Sequence, residues 1–257
     1  MARSLWKGSI SFGLVNVPVA LFSGVKDTDV HFRQLHASDH TPIETRRFCT
    51  KEDAEVPYEE IAHGYEPEDG ELIVLTDAEL ATAAPRKTRT IDIEAFVDLE
   101  EVDPVYFDHP YVLLPDGESE GTRRAYRLLV EVMERTDRAA LGRFVLRTKE
   151  YLTIVRARRE RLTLTTMRFH DEVREPPKTP SKRPAKKQLD NLVKLIDALA
   201  EPWDPTRYRD EYEKRLKKII RDKQKGKTIE EPERPEQPSP VEDLMAALER
   251  SLAEVSA

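Results

Sequence analysis

The sequence predicts a mixed α+β fold, in which a β-rich body contains one helix and is followed by a helical C-terminal part. Apolar residues alternate along several short runs before residue 170, as they do in strands with one buried face. At residues 119–135 the apolar spacing changes to that of a helix, and amphipathic runs follow Pro176-Pro177. The 257 residues allow one large domain, or one domain with small appendages.

The strands are predicted from alternation and from turn residues. At residues 5–22 the alternation slips phase near Gly13, so we expect two strands or one bent strand, and Gly13 and Pro18 suit a bulge or a sheet edge. A hairpin is predicted over residues 144–156 and 161–169, and its turn lacks glycine, so the turn type stays open. Shorter runs predict further strands at residues 30–36, 43–49, 72–75, 89–99 and 106–114.

Several helices have a recognisable start or a clear apolar face. Thr76 with Glu79 three residues later forms a capping box that opens a short helix. An amphipathic helix is predicted at residues 188–200. Asp204-Pro205 predicts the start of another helix, over residues 207–225. Within residues 119–135, one helical face collects the apolar side chains of Tyr126, Leu129, Val130 and Met133.

A tethered helix is predicted at the C-terminal end. Residues 228–240 hold four prolines and few apolar residues, which is typical of an extended linker. The helix that follows is too short to be stable alone in water, so it must dock either on its own body or on a partner. The proline-rich spacer favours the partner. The residues predicted to bind that partner are Val241, Leu244, Met245, Leu248 and Leu252.

The net charge of −7 conceals a strong segregation of charge along the chain. Residues 52–80 hold eleven acidic residues and residues 92–120 hold ten, with no Lys or Arg in either block. Residues 143–168 hold eight basic residues against two acidic ones, and residues 174–227 hold seventeen against nine. Because binding to a polyanion depends on the field at one face, the acidic total does not exclude a nucleic-acid partner.

Basic residues on or beside the predicted strands are the candidate DNA contacts. Residues two apart on a strand share a face, so we expect Arg147 to point with Lys149 and Arg156 to point with Arg158. Such rows can follow a phosphate backbone without reading bases. No recognition helix or aromatic stacking platform is found, which disfavours sequence reading and single-strand binding. The predicted DNA-binding residues are Arg86, Lys87, Arg89, Arg143, Arg147, Lys149, Arg156 and Arg158, and pairing with the acidic blocks stays open as the alternative for each.

No catalytic residue, metal site or cofactor is predicted. The chain lacks the GxxxxGK[ST], GxGxxG and HExxH motifs, and His36 and His40 are four apart on a stretch that reads as strand and loop. The single cysteine, Cys49, excludes an intrachain disulfide. Two alternatives to DNA binding stay open: a metal-dependent nuclease that uses the carboxylates of residues 52–80, and a scaffold whose basic faces bind acidic proteins.

No membrane association is predicted. No apolar run is long enough to span a bilayer, and the N-terminal residues lack the apolar core of a secretory signal. We therefore expect a soluble cytoplasmic protein, associated with the nucleoid if it binds DNA.

Seven segments of the chain resemble the bacterial Ku proteins, in the same order and over nearly the whole length. They are WKGSISFGLVNVPV at 6–19, FRQLH at 32–36, EVPYEEIAHGYE at 55–66, VLTDAEL at 74–80, RTIDIEAFVDLEEVDPVYF at 89–107, GRFVLRTKEYLTIVRAR at 142–158 and VEDLMAALERSL at 241–252.

The resemblance implies a non-enzymatic homodimer that closes a ring around the ends of double-stranded DNA and needs no cofactor. Each subunit would supply a β-barrel core and a strand-rich bridging arm, and the tethered helix would recruit an ATP-dependent, multi-domain DNA ligase for non-homologous end joining. A compact chain of this length has a radius of gyration of about 18 Å, too small to surround a duplex alone. The implied domains are the barrel and arm at 1–175, the helical part at 176–227, the linker at 228–240 and the tethered helix at 241–257.

The sequence departs from the family pattern in two places. Many members have a second cysteine three residues after the first, whereas here Cys49 is followed by Thr50, Lys51 and Glu52, so no paired-thiol role is expected. Some members carry a long lysine-rich tail that strengthens DNA binding, and we do not expect that activity here.

Overall fold

The computed structural model describes residues 3–68, 70–85, 88–177 and 185–229. They form two compact units. The first is formed by the described residues of Met1–Asp27 and Gln34–Glu175, and the second by those of Thr28–Arg33 and Pro176–Ala257.

All the strands that the structure describes lie in the first unit. In chain order they are β1 (Trp6–Phe12), β2 (Val15–Ser23), β3 (Phe48–Cys49), β4 (Ala54–Glu55), β5 (His63–Tyr65), β6 (Ile73–Leu75), β7 (Thr90–Asp98), β8 (Phe107–Pro115), β9 (Arg138–Leu146), β10 (Lys149–Arg158) and β11 (Arg161–Met167). The same unit contains helices α1 (Asp77–Ala83) and α2 (Glu120–Thr136), and single 3₁₀ turns at Tyr58–Glu60, Leu99–Glu101, Pro104–Tyr106 and His170–Glu172.

Seven of these strands close into a barrel in the order β1-β2-β8-β11-β10-β9-β7. Neighbouring strands pair antiparallel except β1 and β7, which pair in parallel over Ser9–Thr90, Ile10–Ile91 and Ser11–Asp92 and so complete the ring of strands. A closed barrel has no free edge along which another chain can add a strand. The predicted α+β fold with a β-barrel core is confirmed.

The barrel interior is one apolar core covered by α2. Alternate residues of the barrel strands point inward, and the largest of them are Ile10, Leu21, Ile91, Leu113, Phe144, Leu162 and Leu164, each at most 2% exposed. Helix α2 buries the face predicted from its spacing, made of Tyr126, Leu129, Val130 and Met133, against this core. Each such side chain contributes about 1.5–3 kcal/mol on burial, so amphipathic spacing alone is enough to fix which side of α2 faces the barrel.

The first strand prediction is confirmed as two strands. β1 and β2 are joined by a turn at Gly13, whose φ of +56° lies in the left-handed region that glycine adopts readily. Pro18 lies inside β2 opposite Ser9 with no shift of register, so no bulge is found at this residue, but it comes directly before the first β2–β8 pair, Val19 with Pro115, and so pairs in register with β1 only. Proline lacks only the amide hydrogen, and its carbonyl oxygen accepts from the Asp116 amide at 3.2 Å.

The predicted strand over residues 144–156 is in fact two strands. β9 ends at Leu146 and β10 begins at Lys149, and Arg147 lies in the turn between them with a φ of +61°. Arg147 and Lys149 therefore do not share a strand face, and that inference is wrong. The turn was missed because its two residues, Arg147 and Thr148, include no Gly, Pro, Asn or Asp, so the sequence carries no turn signal at this point. The hairpin with the next strand is confirmed as β10 and β11.

The β10–β11 turn is tight although it has no glycine. Arg159 and Glu160 have φ values of +53° and +61°, and a type I′ turn needs positive φ at both central positions. The Glu160 amide donates to Glu134 Oε1 at 3.1 Å, which anchors this turn to α2. The two-residue turn fixes the register of the hairpin and places Arg158 directly opposite Arg161.

The inserted segment, residues 34–89 between β2 and β7, contains ordered elements but no buried residue among those described. β3 pairs only with β4, and β5 pairs only with β6, so neither two-stranded sheet joins the barrel. The capping box of α1 is confirmed, since Thr76 accepts from the Glu79 amide at 3.3 Å and Glu79 accepts from the Thr76 amide at 2.9 Å.

The strand predicted at residues 30–36 is wrong. Only Leu35 pairs, with Pro42, as an isolated bridge. Thr28–Arg33 belongs to the second unit instead. The alternation at 30–36 is real, but a strand also needs a neighbour that accepts its hydrogen bonds, and the sequence does not show whether one is present.

The second unit contains helices α3 (Lys186–Leu199) and α4 (Glu211–Gln224), with a 3₁₀ turn at Pro205–Arg207 between them. The predicted start of the last helix at residue 207 is wrong. Asp204 caps the short turn, and α4 begins only after Asp210, whose carboxylate accepts from the Tyr212 and Glu213 amides at 2.8 and 3.0 Å. The prediction took Asp204 as the cap of the helix, whereas the helix cap is Asp210, six residues later.

An exposed aromatic stack lies in the same loop. The rings of Trp203 and Tyr208 have centroids 5.2 Å apart and planes at 21°. The sequence analysis did not identify this stack, because the turn brings together two aromatic residues that do not adjoin in the chain.

We predict that Tyr126→Phe lowers the free energy of unfolding by about 1–3 kcal/mol, the cost of leaving buried polar groups unsatisfied. The Tyr126 hydroxyl donates to the Leu113 carbonyl oxygen at 2.7 Å and accepts from the Leu162 amide at 2.9 Å, and burial raises its pKa. Denaturant melts followed by circular dichroism measure the change. The control is Tyr65→Phe, at a tyrosine that is 61% exposed, and an equal loss in both variants would contradict the role of this hydroxyl.

Candidate nucleic-acid interface

Two of the predicted DNA-binding residues, Arg86 and Lys87, lie outside the described residues. Arg89 is exposed directly before β7, and its carbonyl oxygen accepts from the Ser9 amide at 3.0 Å. This hydrogen bond extends the contact between β1 and β7, so the backbone of Arg89 has a structural role while its side chain faces solvent.

Arg143 is held between two carboxylates on neighbouring strands. Its Nε lies 3.0 Å from Glu94 Oε1 on β7, and its Nη1 lies 3.4 Å from Glu150 Oε1 on β10. At Arg143 the structure therefore shows the alternative to DNA binding, in which the arginine pairs with carboxylates of the same chain. A phosphate would have to compete with two carboxylates for the same guanidinium.

The β9–β10 turn carries two exposed cations, Arg147 and Lys149. The Lys149 ammonium lies 5.3 Å from the centroid of the Tyr151 ring, which is within range of a cation–π contact. Within the described residues, no carboxylate lies within 4.0 Å of the charged group of either residue. Both are therefore free to meet an anion.

The opposite end of β10 forms an arginine tip, defined by Arg158, Arg159 and Arg161. Arg158 and Arg161 are directly opposite in the hairpin, and Arg159 lies in the turn. Like charges placed opposite each other destabilise a strand pair. Glu160 also lies in this turn, but among the described residues no carboxylate lies within 4.0 Å of any of the three guanidinium groups, so none of them forms an ion pair.

Arg156 lies behind the tip and is partly buried. Its guanidinium carbon is 5.6 Å from the centroid of the Phe107 ring. Burial, and to a smaller extent the charge of Arg158, lowers the pKa of the Arg156 guanidinium from its usual value. The predicted alignment of Arg156 with Arg158 is consistent with their positions two apart on β10.

A cleft opens beside these arginines because β9 and β10 separate. Their last paired residues are Ala140 and Val155, after which β10 continues along β11 and β9 continues along β7. The cavity has a volume of about 500 Å³. Its charged lining residues are Glu134, Asp137, Arg138, Arg156 and Arg158, and its apolar lining includes Leu99 and Met133.

Sequence reasoning missed Arg138 and Arg161. If the turn has two residues, Arg159 and Glu160, then Arg161 is the residue opposite Arg158 in the hairpin, so the sequence could have indicated Arg161. Arg138 faces the cleft only because two strands part at this point, and no local pattern predicts that. Its Nη1 lies 3.8 Å from Asp98 Oδ2, the longest of the Arg–carboxylate contacts in the described residues.

Within the described residues no group of three or more His, Cys, Asp or Glu side chains is placed to hold a metal ion. His36 Nδ1 contacts Asp39 and Ser38 at 3.1 and 3.0 Å instead. Cys49 is a free, partly buried thiol. The carboxylates considered for a nuclease do not gather into such a cluster in this part of the chain.

Comparison with known proteins identifies the family of this barrel. The family model described as the Ku70/Ku80 beta-barrel domain matches residues 11–191, which include all seven barrel strands except the first residues of β1. The chain belongs to the Ku family. The resemblance seen in the sequence segments is thereby confirmed.

Bacterial Ku proteins match this chain over almost its full length. "Non-homologous end joining protein Ku" of Heliobacterium modesticaldum is 39% identical over 99% of this chain and 93% of the relative. The protein of the same name from Opitutus terrae is 40% identical over 99% of this chain and 93% of the relative. The one from an Anaeromyxobacter species is 39% identical over 98% of this chain and 86% of the relative. The similarity to these Ku proteins therefore extends beyond the barrel into the helical part.

Among solved structures, the SPOC domain of human PHD-finger protein 3 covers 64% of this chain and 95% of its own, with a TM-score of 0.31 and 11% identity. This likeness is too slight to indicate a shared function. In the part of the chain that the structure describes, no helix combines the length and apolarity needed to cross a membrane.

The predicted partner-binding residues lie outside the described residues. They are Val241, Leu244, Met245, Leu248 and Leu252. Their role therefore stays a prediction.

Proposed function

We propose that this Ku protein binds the ends of double-stranded DNA without sequence preference, as a ring-shaped homodimer, and recruits an ATP-dependent DNA ligase for repair by non-homologous end joining. The protein acts as a clamp and not as an enzyme. The observation that carries the proposal is the set of arginines at the end of β10 that have no carboxylate partner among the described residues, on a chain of the Ku family.

The positions of the cations favour a duplex as the ligand. β10 has ten residues, so at about 3.3 Å per residue its two charged ends, Arg147 with Lys149 and the arginine tip, are about 30 Å apart. One turn of B-DNA is about 34 Å long. Cations at this spacing can contact phosphates about one turn apart, and phosphate contacts alone give affinity without base specificity.

The inserted segment supports self-association. It is ordered without a core of its own, and it exposes large apolar side chains such as Phe48, Tyr58 and Tyr65, which are 57%, 72% and 61% exposed. Exposed apolar surface of this kind is typical of a segment that is covered in an assembly. A symmetric pair of such segments can bridge over a duplex that one subunit is too small to surround.

The acidic blocks fit the same model of function. Residues 52–80 carry eleven acidic residues and no Lys or Arg, so the surface that they form repels phosphate. In the other acidic block, residues 92–120, basic residues from other segments pair with Glu94, Asp98, Asp108 and Asp116. Attraction at the arginines and repulsion elsewhere orient a polyanion on one face. The total charge of −7 is then compatible with DNA binding.

Replacing both Arg156 and Arg158 with Ala should weaken binding to duplexes of every sequence alike. Each lost phosphate contact should reduce the slope of log K against log salt by about 0.9, and the affinity should fall roughly tenfold or more, since hydrogen bonds to charged groups contribute about 1.5–3 kcal/mol. Fluorescence anisotropy at several salt concentrations measures both. Arg143→Ala is the matched control, because its guanidinium is already engaged by Glu94 and Glu150. An unchanged slope in the double variant would show that these arginines do not contact phosphate.

A ring must thread onto DNA from an end. We therefore expect binding to a linear duplex, weak binding to a covalently closed circle of the same sequence, and recovery of binding when that circle is cut once. Gel-shift titration in competition measures the three affinities. Equal affinity for the linear and closed forms would contradict the ring, and light scattering that finds only a monomer in solution would contradict the homodimer.

Deleting residues 240–257 should leave DNA binding unchanged and abolish stimulation of the partner ligase. The deletion removes the predicted apolar stripe and leaves the barrel intact. The measurements are anisotropy for DNA binding and a ligation assay with the ATP-dependent ligase. A milder variant, Leu244→Glu with Leu248→Glu, should lose stimulation equally, and a loss of DNA binding in either variant would mean that the segment docks on its own body.

A further inference from the structure

The aromatic stack of Trp203 and Tyr208 is unusually exposed. Trp203 is 76% exposed and Tyr208 is 63% exposed, although their rings lie nearly parallel with centroids 5.2 Å apart. Each ring uses one face for the other, and the exposed fractions leave the outer faces to solvent. Large aromatic side chains bury 150–250 Å² in a typical core, so a pair left in water needs a reason.

A short rigid turn holds the two rings together. The Asp204 carboxylate accepts from the Thr206 amide at 2.9 Å and from the Thr206 hydroxyl at 2.7 Å, and the Tyr208 amide donates to the Pro205 carbonyl oxygen at 3.4 Å. The hydrogen bonds from Thr206 lower the pKa of Asp204, so this cap stays ionised at neutral pH. The turn reverses the chain and places Tyr208 beside Trp203 before any ligand binds.

Cations flank the stack on the chain. Arg207 is paired with Glu201, whereas within the described residues no carboxylate lies within 4.0 Å of the Arg209 guanidinium. Helix α4 begins three residues after Tyr208. Basic residues follow at helical spacing along one face, namely Lys214, which is paired with Glu211, Lys218, Arg221 and the C-cap residue Lys225. Exposed aromatic faces beside phosphate-binding cations are the two features that sites for single-stranded nucleic acid combine.

We propose that the Trp203–Tyr208 stack binds an unpaired base of a single-stranded overhang at a DNA end. A nucleobase lies flat on an outer face of the stack, and Arg209 binds the adjoining phosphate. The stack accepts any base, because every base has a π face, so the site adds no sequence preference. The inference rests on the proposed binding of duplex ends and extends it to the unpaired part of the same substrate.

The first test uses the stack as its own reporter. The chain has two tryptophans, so Trp6→Phe leaves Trp203 as the single emitter. Titration with a hairpin duplex that carries a 3′ oligo-dT overhang should quench this emission, and the same hairpin with a blunt end should not. Circular dichroism checks that the Trp6→Phe barrel is folded, and Trp203→Phe with Trp6 retained gives the background signal.

The second test measures affinity by anisotropy in the otherwise unchanged full chain. Trp203→Ala and Tyr208→Ala should each weaken binding to the overhang hairpin by about five- to hundredfold, and leave binding to the blunt hairpin unchanged. Trp203→Phe should retain most of the affinity, since it keeps a stacking face. The matched control is Tyr212→Ala, at a tyrosine of the same unit that is 66% exposed and has no ring partner among the described residues, and it should change neither affinity.

The outcomes separate this inference from the proposed function. If the wild-type chain binds blunt and overhang hairpins but the alanine variants bind both as well as it does, the stack is not a base-binding site. If Trp203→Ala changes the mass in light scattering, the stack is an interface between copies of the chain, and the inference also fails. If the wild-type chain binds neither hairpin, the proposed function itself fails.

Discussion

The parallel pairing of β1 with β7 is the constraint on which the rest of the structure depends. Three residue pairs, from Ser9–Thr90 to Ser11–Asp92, turn an open antiparallel sheet into a closed barrel. Closure directs the apolar half of every barrel strand inward and removes the free edges. The inserted segment leads directly into β7, so the pairing of β7 with β1 also fixes where the chain re-enters the barrel after this segment.

Because the interior takes the apolar side chains, charge is arranged only on the outside, and it is arranged unevenly. Arg143 is neutralised by two carboxylates, whereas Arg158 and Arg161 oppose each other with no such partner in the described residues. Like charges placed opposite each other in a hairpin lower its stability, and the chain has 49 acidic residues that could supply an ionic partner for them. Glu160 lies in the same turn, but within the described residues no carboxylate lies within 4.0 Å of these guanidinium groups, so an external polyanion would be their ionic partner.

The two units offer different chemistry to a broken DNA end. The first presents guanidinium groups on rigid strands, which suits a regular phosphate backbone. The second presents stacked rings on a capped turn, together with an α3 whose apolar residues Leu192, Val193 and Ile196 are 42%, 54% and 59% exposed. Exposed apolar area on this scale in both units is consistent with a subunit that completes its packing in an assembly.

The sequence by itself determined what depends on local pattern. Alternation located most of the barrel strands, helical spacing identified the face of α2 that carries Tyr126, and the Thr76–Glu79 capping box marked α1, because each of these signals lies within one element. It also identified the Ku family. The tertiary structure decided what depends on neighbouring segments. It leaves residues 30–36 without a strand to pair with, and it separates β9 from β10 so that Arg138 is exposed. It also pairs Arg143 with carboxylates while Arg158 has no such partner in the described residues, and it stacks Trp203 on Tyr208. Periodicity tells which face of an element is apolar, but hydrogen-bond partners, ion pairs and ring stacks join residues whose meeting is set by the path of the whole chain.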